Sequence, residues 1–241
     1  MVSFHVVVPQ RTRLAEAPSI PDPVTFHHPS ARNVQPSDIV EAGHRGDIDL
    51  VRAAVSAETV AVRAAALSAL LRLDALDIHQ WEVFATDKEA GVRRRAAELA
   101  PRMPDPMLTE NGLVRLLDDT DEVVEVAAFA LGEIGSMSDQ TLAPASTQRL
   151  ETIVRDHSDA LCRESAVAAL GALHTGLATI LHACADKATV RRRAIIALAP
   201  FEGPEVEAAL THALDDRDWQ VRQAAEDLLA PVGLEADEPD E

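Results

Sequence analysis

Val92-Arg93-Arg94-Arg95-Ala96-Ala97-Glu98-Leu99-Ala100 and Val190-Arg191-Arg192-Arg193-Ala194-Ile195-Ile196-Ala197-Leu198 are two copies of one pattern. An apolar anchor is followed four places later by Ala and eight places later by another apolar residue. Offsets of 0, 4 and 8 return to one face of a helix with 3.6 residues per turn, so each stretch predicts an amphipathic helix with a thin buried stripe. The pattern recurs from Val62, Val123, Cys162 and Val221, with its alanines at Ala66, Ala127, Ala166 and Ala225. Successive anchors lie 30, 31, 39, 28 and 31 residues apart, which places an insertion in the third connection. Alanine in the middle of the stripe lets helices approach closely, so Ala127 and Ala166 are expected at buried contacts between helices.

Most of these segments, here named B helices, follow a polar break rich in Asp. Examples are Asp118-Asp119-Thr120-Asp121, Asp156-His157-Ser158-Asp159 and Asp215-Asp216-Arg217-Asp218. Asp accepts hydrogen bonds from the free N–H groups of a helix start and favours the positive end of its dipole. An apolar segment precedes each break, as in Leu113-Val114-Arg115-Leu116-Leu117, and predicts an A helix. Helix, capped turn and helix in units of about thirty residues are the mark of a solenoid. Composition agrees: Ala, Leu and Val dominate, Tyr is absent and aromatics make up 3% of the chain. A chain that buries Ala more than Phe builds thin helical layers rather than one thick core.

Asp121-Glu122-Val123 with Ala127-Ala128-Phe129-Ala130-Leu131-Gly132-Glu133-Ile134-Gly135, and Asp218-Trp219-Gln220-Val221-Arg222-Gln223-Ala224-Ala225, resemble HEAT repeats of the short type found in phycobilisome bilin lyases. The resemblance runs from about residue 47 to 231. It implies an all-α, right-handed α-solenoid of about six HEAT-like helix pairs, with the B helices on the concave face. It also implies that the Arg after each anchor (Arg63, Arg93, Arg163, Arg191, Arg222) pairs with turn aspartates in its own or the next repeat, a ladder that orients repeats. A bilin-lyase-like enzyme subunit is the alternative function that it carries.

The two ends read differently. Residues 1–36 hold six prolines, a density that forbids helix and favours an extended N-terminal arm. Residues 37–232 form the solenoid, and residues 233–241 carry five acids and read as a disordered acidic tail. The first nine residues lack the basic start and apolar run of a secretory signal, and no stretch approaches the ~20 apolar residues of a membrane helix. Cys162 and Cys184 fit no disulfide framework and no metal-ligand spacing, so they read as small buried hydrophobes in a reducing compartment. The expectation is a cytoplasmic protein.

Chemistry is sparse along the chain. No His-Glu dipeptide occurs, whereas the diiron hydroxylases of HEAT architecture repeat that pair to gather ligands around two metals. His27-His28 stands in the Pro-rich arm without companion ligands. A net charge of −18 opposes binding to a polyanion, so nucleic acid is the weakest of the readings. No catalytic constellation, cofactor motif or phosphate-binding glycine loop is expected.

Charge distribution points to a working face. The six B segments contain eleven arginines and six acids, an excess of five positive charges in a strongly acidic chain. Two places after the anchor, Arg94 and Arg192 point away from the buried stripe. Arg95 and Arg193 lie at its edge, where long stems can carry the head group outward. These four are the candidate binding residues, and the expected partner is a protein, with an extended acidic segment as its contact. Trp219, in a turn between helices, either staples the last repeat or is an exposed interface anchor. The predicted function is protein–protein interaction, as an adaptor, scaffold or regulator.

Overall fold

The computed structural model describes residues 34–138 and 141–230. The arm through residue 33, with His27-His28, and the acidic end from residue 231 lie outside the described residues. The described chain is helical throughout, apart from turns. It begins with α1 (Pro36–Arg45), followed by six pairs. The pairs are α2 (Ile48–Ala53) with α3 (Val60–Arg72), α4 (Ile78–Ala85) with α5 (Ala90–Leu99), and α6 (Glu110–Leu116) with α7 (Asp121–Met137). They continue with α8 (Pro144–Asp156) and α9 (Ala160–Ala172), α10 (Leu177–Ala183) and α11 (Ala188–Ala197), and α12 (Pro204–Ala213) and α13 (Trp219–Leu229). The predicted A and B helices alternate in this order.

All six anchors and all six pattern alanines are buried, Ala127 and Ala166 completely. Close packing depends on their size. A Cβ added to Gly132 on α7 would lie 2.6 Å from the Cα of Ala169 on α9. One added to Gly171 on α9 would lie 2.9 Å from the Cα of Ala197 on α11. Successive B helices therefore touch along their backbones, while successive A helices pack against each other far less. A stack whose layers are closer on one side bends toward that side, so the B helices form the inner surface.

The first B-like helix was hidden from the repeat pattern. Helix α1 packs on α3 as the B helices pack on one another. Ile39 and Gly43 stand at the anchor and alanine offsets; a Cβ on Gly43 would come within 2.9 Å of Ala69 Cβ. It is the second half of an incomplete repeat that caps the array. Pro36, grouped with the arm in the sequence, is the first residue of this helix. There its missing N–H has no helical partner to lose and its fixed φ suits the turn.

Larger side chains enter the core on the A side. Trp81 of α4 is fully buried, and its indole N–H donates to the Ala96 carbonyl at 2.9 Å. Gly112 of α6 makes room for the ring: a Cβ there would fall 2.4 Å from it. The insertion in the third connection lengthens α7 to 17 residues, and the chain then returns Leu142 to the core.

Candidate protein-binding surface

The turn aspartates do two jobs, according to their place. Asp47, Asp77, Asp159 and Asp218 cap helices through their side chains, accepting from backbone N–H groups one turn ahead. Asp87, Asp119, Asp186 and Asp216, slightly earlier in their turns, accept the ladder arginines instead. Arg63 donates through Nε and Nη2 to both oxygens of Asp87, each at 2.7 Å. Arg93 reaches Asp119 at 2.5 and 2.6 Å, Arg163 reaches Asp186 at 2.7 and 2.8 Å, and Arg191 reaches Asp216 at 2.8 and 2.7 Å. The Nη1 of each donates to carbonyls in the turn before its own helix, for example Arg163 to His157 and Ser158. Each guanidinium thus bolts its own turn to that of the next repeat through paired, charge-assisted bonds. Arg222, in the last repeat, makes among the described residues only the bond to its own turn at the Asp216 carbonyl.

Hydrogen bonds from their arginines hold the carboxyls of Asp119, Asp186 and Asp216 below the usual carboxylate range. At Asp87 burial pushes upward most strongly, but the bonds from Arg63 and the Glu89 N–H together leave it lowered too. A carboxyl with a lower pKa folded than unfolded stabilises the fold fully above the unfolded value, about 3.9. That contribution is lost as pH falls through the depressed folded values. Melting followed by circular dichroism should therefore fall off more steeply below about pH 4 in the native chain than in an Arg191→Gln variant. Identical acid-side profiles would show that the Asp216 joint carries no such linkage.

One joint departs from the ladder. Between α7 and α9 the arginine position holds Val124 and the aspartate position holds His157. His157 Nδ1 accepts from the Asp159 N–H at 3.2 Å, as Asp87 and Asp216 accept from Glu89 and Asp218. A neutral imidazole replaces the carboxylate where no guanidinium is present to pair with it. Ligand atoms of Asp121, His157 and Cys162 lie within 4.8 Å of one another. His157 Nδ1 and the Cys162 thiol are both engaged in hydrogen bonds of the joint. Accepting at Nδ1 leaves the His157 proton on Nε2, 3.9 Å from Asp121. The Cys162 thiol donates to the Asp121 carbonyl, and burial first, then nearby carboxylates, push its pKa up to about 12.

The ladder changes the meaning of the charge count. Four of its five arginines are neutralised by their aspartates, which takes up four of the five excess positive charges of the B segments. The candidate arginines separate accordingly. Arg94 is exposed. Arg95 is tied to Ser68 at 3.0 Å and to Glu98 at 2.8 Å. Arg192 is half-buried, and Arg193 makes a long contact of 3.4 Å with Glu164. Two of the four are therefore partly engaged within the fold. Trp219 is no staple: it is 64% exposed at the first turn of α13.

What the charge count overlooked is apolar. Phe129 of α7, Leu161 of α9 and Ile196 of α11 are 55%, 54% and 42% exposed on three successive B helices. Phe129 and Ile196 share the offset of six from their anchors, opposite the buried stripe, with half-buried Ala168 between them. That offset was visible in the sequence. Two adjoining depressions run through this strip. One, of about 210 Å³, lies among Glu125, Phe129, Leu161, Glu164 and Arg193. The other, of about 440 Å³, lies among Ala168, Ala172, Arg193, Ile196 and Pro200.

Comparison with known proteins agrees with this architecture. The HEAT repeat family matches residues 81–171. A computationally designed armadillo repeat protein for modular peptide recognition superposes with a TM-score of 0.50 at 18% identity, covering 80% of this chain and 98% of that one. The chain is a right-handed α-solenoid of repeated helix pairs, HEAT- and armadillo-like in architecture. A designed armadillo protein solved with the peptide (KR)4 gives a TM-score of 0.49 at 18% identity, covering 82% of this chain and 98% of its own. Human deoxyhypusine hydroxylase gives 0.37 at 18% identity, over 83% and 91%. No protein with a curated description matches.

Proposed function

We propose that this solenoid is a protein-binding module, an adaptor or scaffold, that takes a polypeptide across the inner surface of its B helices. The observation that carries the reading is the exposed strip of Phe129, Leu161 and Ile196 on three consecutive helices. Large apolar side chains gathered at the centre of a face, with charges around them, are how interfaces concentrate their energy. A rigid stack of helices can present that strip without reordering, which lowers the entropic cost of binding. The structural likeness to an armadillo protein designed for peptide recognition supports the same use of the surface. Repeat spacings of 28 to 31 residues at four of the five steps support placing the chain with the short, lyase-type HEAT repeats as a structural subgroup. The buried thiol of Cys162 and the half-buried thiol of Cys184, both raised in pKa by burial, suit a reducing compartment such as the cytoplasm. With the ladder taking up four of the five excess arginine charges, a purely acidic partner segment loses most of its motive.

The test is affinity capture from the source cells with the native chain and with a Phe129→Ala/Ile196→Ala variant. Both positions are off the buried stripe, so the variant should keep its helical spectrum and melting point. Its specific partner should be lost, with a cost of about 2 kcal/mol or more per anchor residue. Retention of the same partner at the same yield would move the binding site elsewhere, with Trp219 the next residue to change.

A further inference from the structure

The charges beside the apolar strip are arranged by helix. On α7, exposed Glu122, Phe129 and Glu133 form one ridge with half-buried Glu125, and none of the three carboxylates has an ion-pair partner among the described residues. Glu122 and Glu125 are three residues apart on a helix, an arrangement of like charges that weakens it slightly. The ridge before it, on α5, exposes Arg94, with Arg102 just beyond the helix end; neither is in an ion pair among the described residues. The ridge after it, on α9, exposes Leu161 and Ala172 beside half-buried Ala168, and its one carboxylate, Glu164, is already paired with Arg193. The next, on α11, holds Arg192 and Arg193, whose Nε–H groups find no acceptor among the described residues. Read across the B helices, the surface is basic, acidic with an aromatic ring, apolar, then basic.

We infer that the ligand of this surface is an extended polypeptide segment of mixed charge, with an acidic residue, then a basic one, then a large apolar one, then a second acidic one. The inference rests on the proposal that the B surface binds a polypeptide. Packed helices lie about 8–10 Å apart, and an extended chain advances about 3.3 Å per residue. Each helix crossed therefore meets about every third residue of the ligand, and the pattern spans roughly ten residues. The first acid meets Arg94 on α5. A Lys or Arg meets Glu125 and Glu133 while its stem lies on the Phe129 ring. A Leu, Ile or Phe enters the depression between Leu161, Ala168 and Ile196. The last acid takes the Arg192 guanidinium, which can hold a carboxylate through two bonds, beside Arg193 in its long contact with Glu164. A purely acidic segment would meet the three unpaired glutamates of α7, and a purely basic one the arginines on either side.

Selection from a random twelve-residue phage-displayed peptide library against the full chain tests this. Enriched sequences should place a basic residue about three positions from a large apolar one, with an acid about three positions beyond. The strongest of them, synthesised with a fluorescent label, should bind the Glu122→Lys/Glu125→Lys/Glu133→Lys variant at least about tenfold more weakly by fluorescence polarisation. The corresponding Gln variant should show a smaller loss, and selection against the Lys variant should favour an acid in place of the base. Far-ultraviolet circular dichroism establishes that both variants are folded; should the Lys variant unfold, the Gln variant alone decides, with equal binding to it counting against the inference. Binding that is indifferent to these charges but lost in Phe129→Ala overturns the mixed-charge pattern and leaves the surface assignment standing. Enrichment of peptides that ignore Phe129 as well, or no enrichment, overturns both.

Discussion

Replacing Asp186 with Ala is expected to destabilise the solenoid by about 3–5 kcal/mol, the range for leaving a buried partner charge unpaired. Asp186 receives two bonds from Arg163, which is itself buried, while its backbone carbonyl receives Arg191. Removing the carboxylate leaves the Arg163 guanidinium bonded only to the carbonyls of His157 and Ser158, with no counter-charge. Because contacts in a solenoid run mainly between neighbours, the damage should be local to one joint. Urea unfolding followed by circular dichroism should show a lower midpoint and an early phase in which the last two repeats come apart from the rest. The control is Asp118→Ala, which removes an exposed pair with Arg149 and should cost less than about 1 kcal/mol. A loss at Asp186 no larger than at Asp118 would mean that the ladder orients the repeats without stabilising them.

The second large effect is expected at Trp81, where substitution by Ala should cost about 3–5 kcal/mol. The side chain is fully buried between its own helix, α5 and α6, and its N–H donates to the Ala96 carbonyl. Gly112 has already been reduced to hydrogen to admit the ring, so nothing nearby is large enough to fill the cavity. Trp219→Ala should instead leave the melting point unchanged, because that ring is mostly in solvent. Thermal melts of the two variants side by side give the comparison. A small effect at Trp81, or a large one at Trp219, would contradict the packing of the second or last repeat.

Placed together, the two tryptophans show what a one-dimensional reading can reach. The helical stripes, their anchors at Val62 through Val221, the six pairs and the existence of an Arg–Asp ladder were all legible, because a helix's buried face is set by spacing along its own chain. The repeat then fixes which neighbours stack. Even Phe129 and Ile196 could have been read as exposed from their offset of six. Two features were weaker in the sequence: α1 carries Gly43 where the pattern has Ala, and the joint at Val124 and His157 replaces both members of an ion pair together.

The availability of charge was decided only by the tertiary structure. A sum over segments counts every arginine alike, but a guanidinium is free or engaged according to distances across repeats. Arg93 and Arg94 are neighbours in sequence: one is locked onto Asp119 and the other stands in solvent, since a step of one residue turns the side chain by about 100° around the helix. The sequence by itself determined a stack of amphipathic helix pairs. Which aspartates cap and which accept arginine, and that the inner surface is apolar and of mixed charge, depended on how closely Ala- and Gly-lined helices could approach one another.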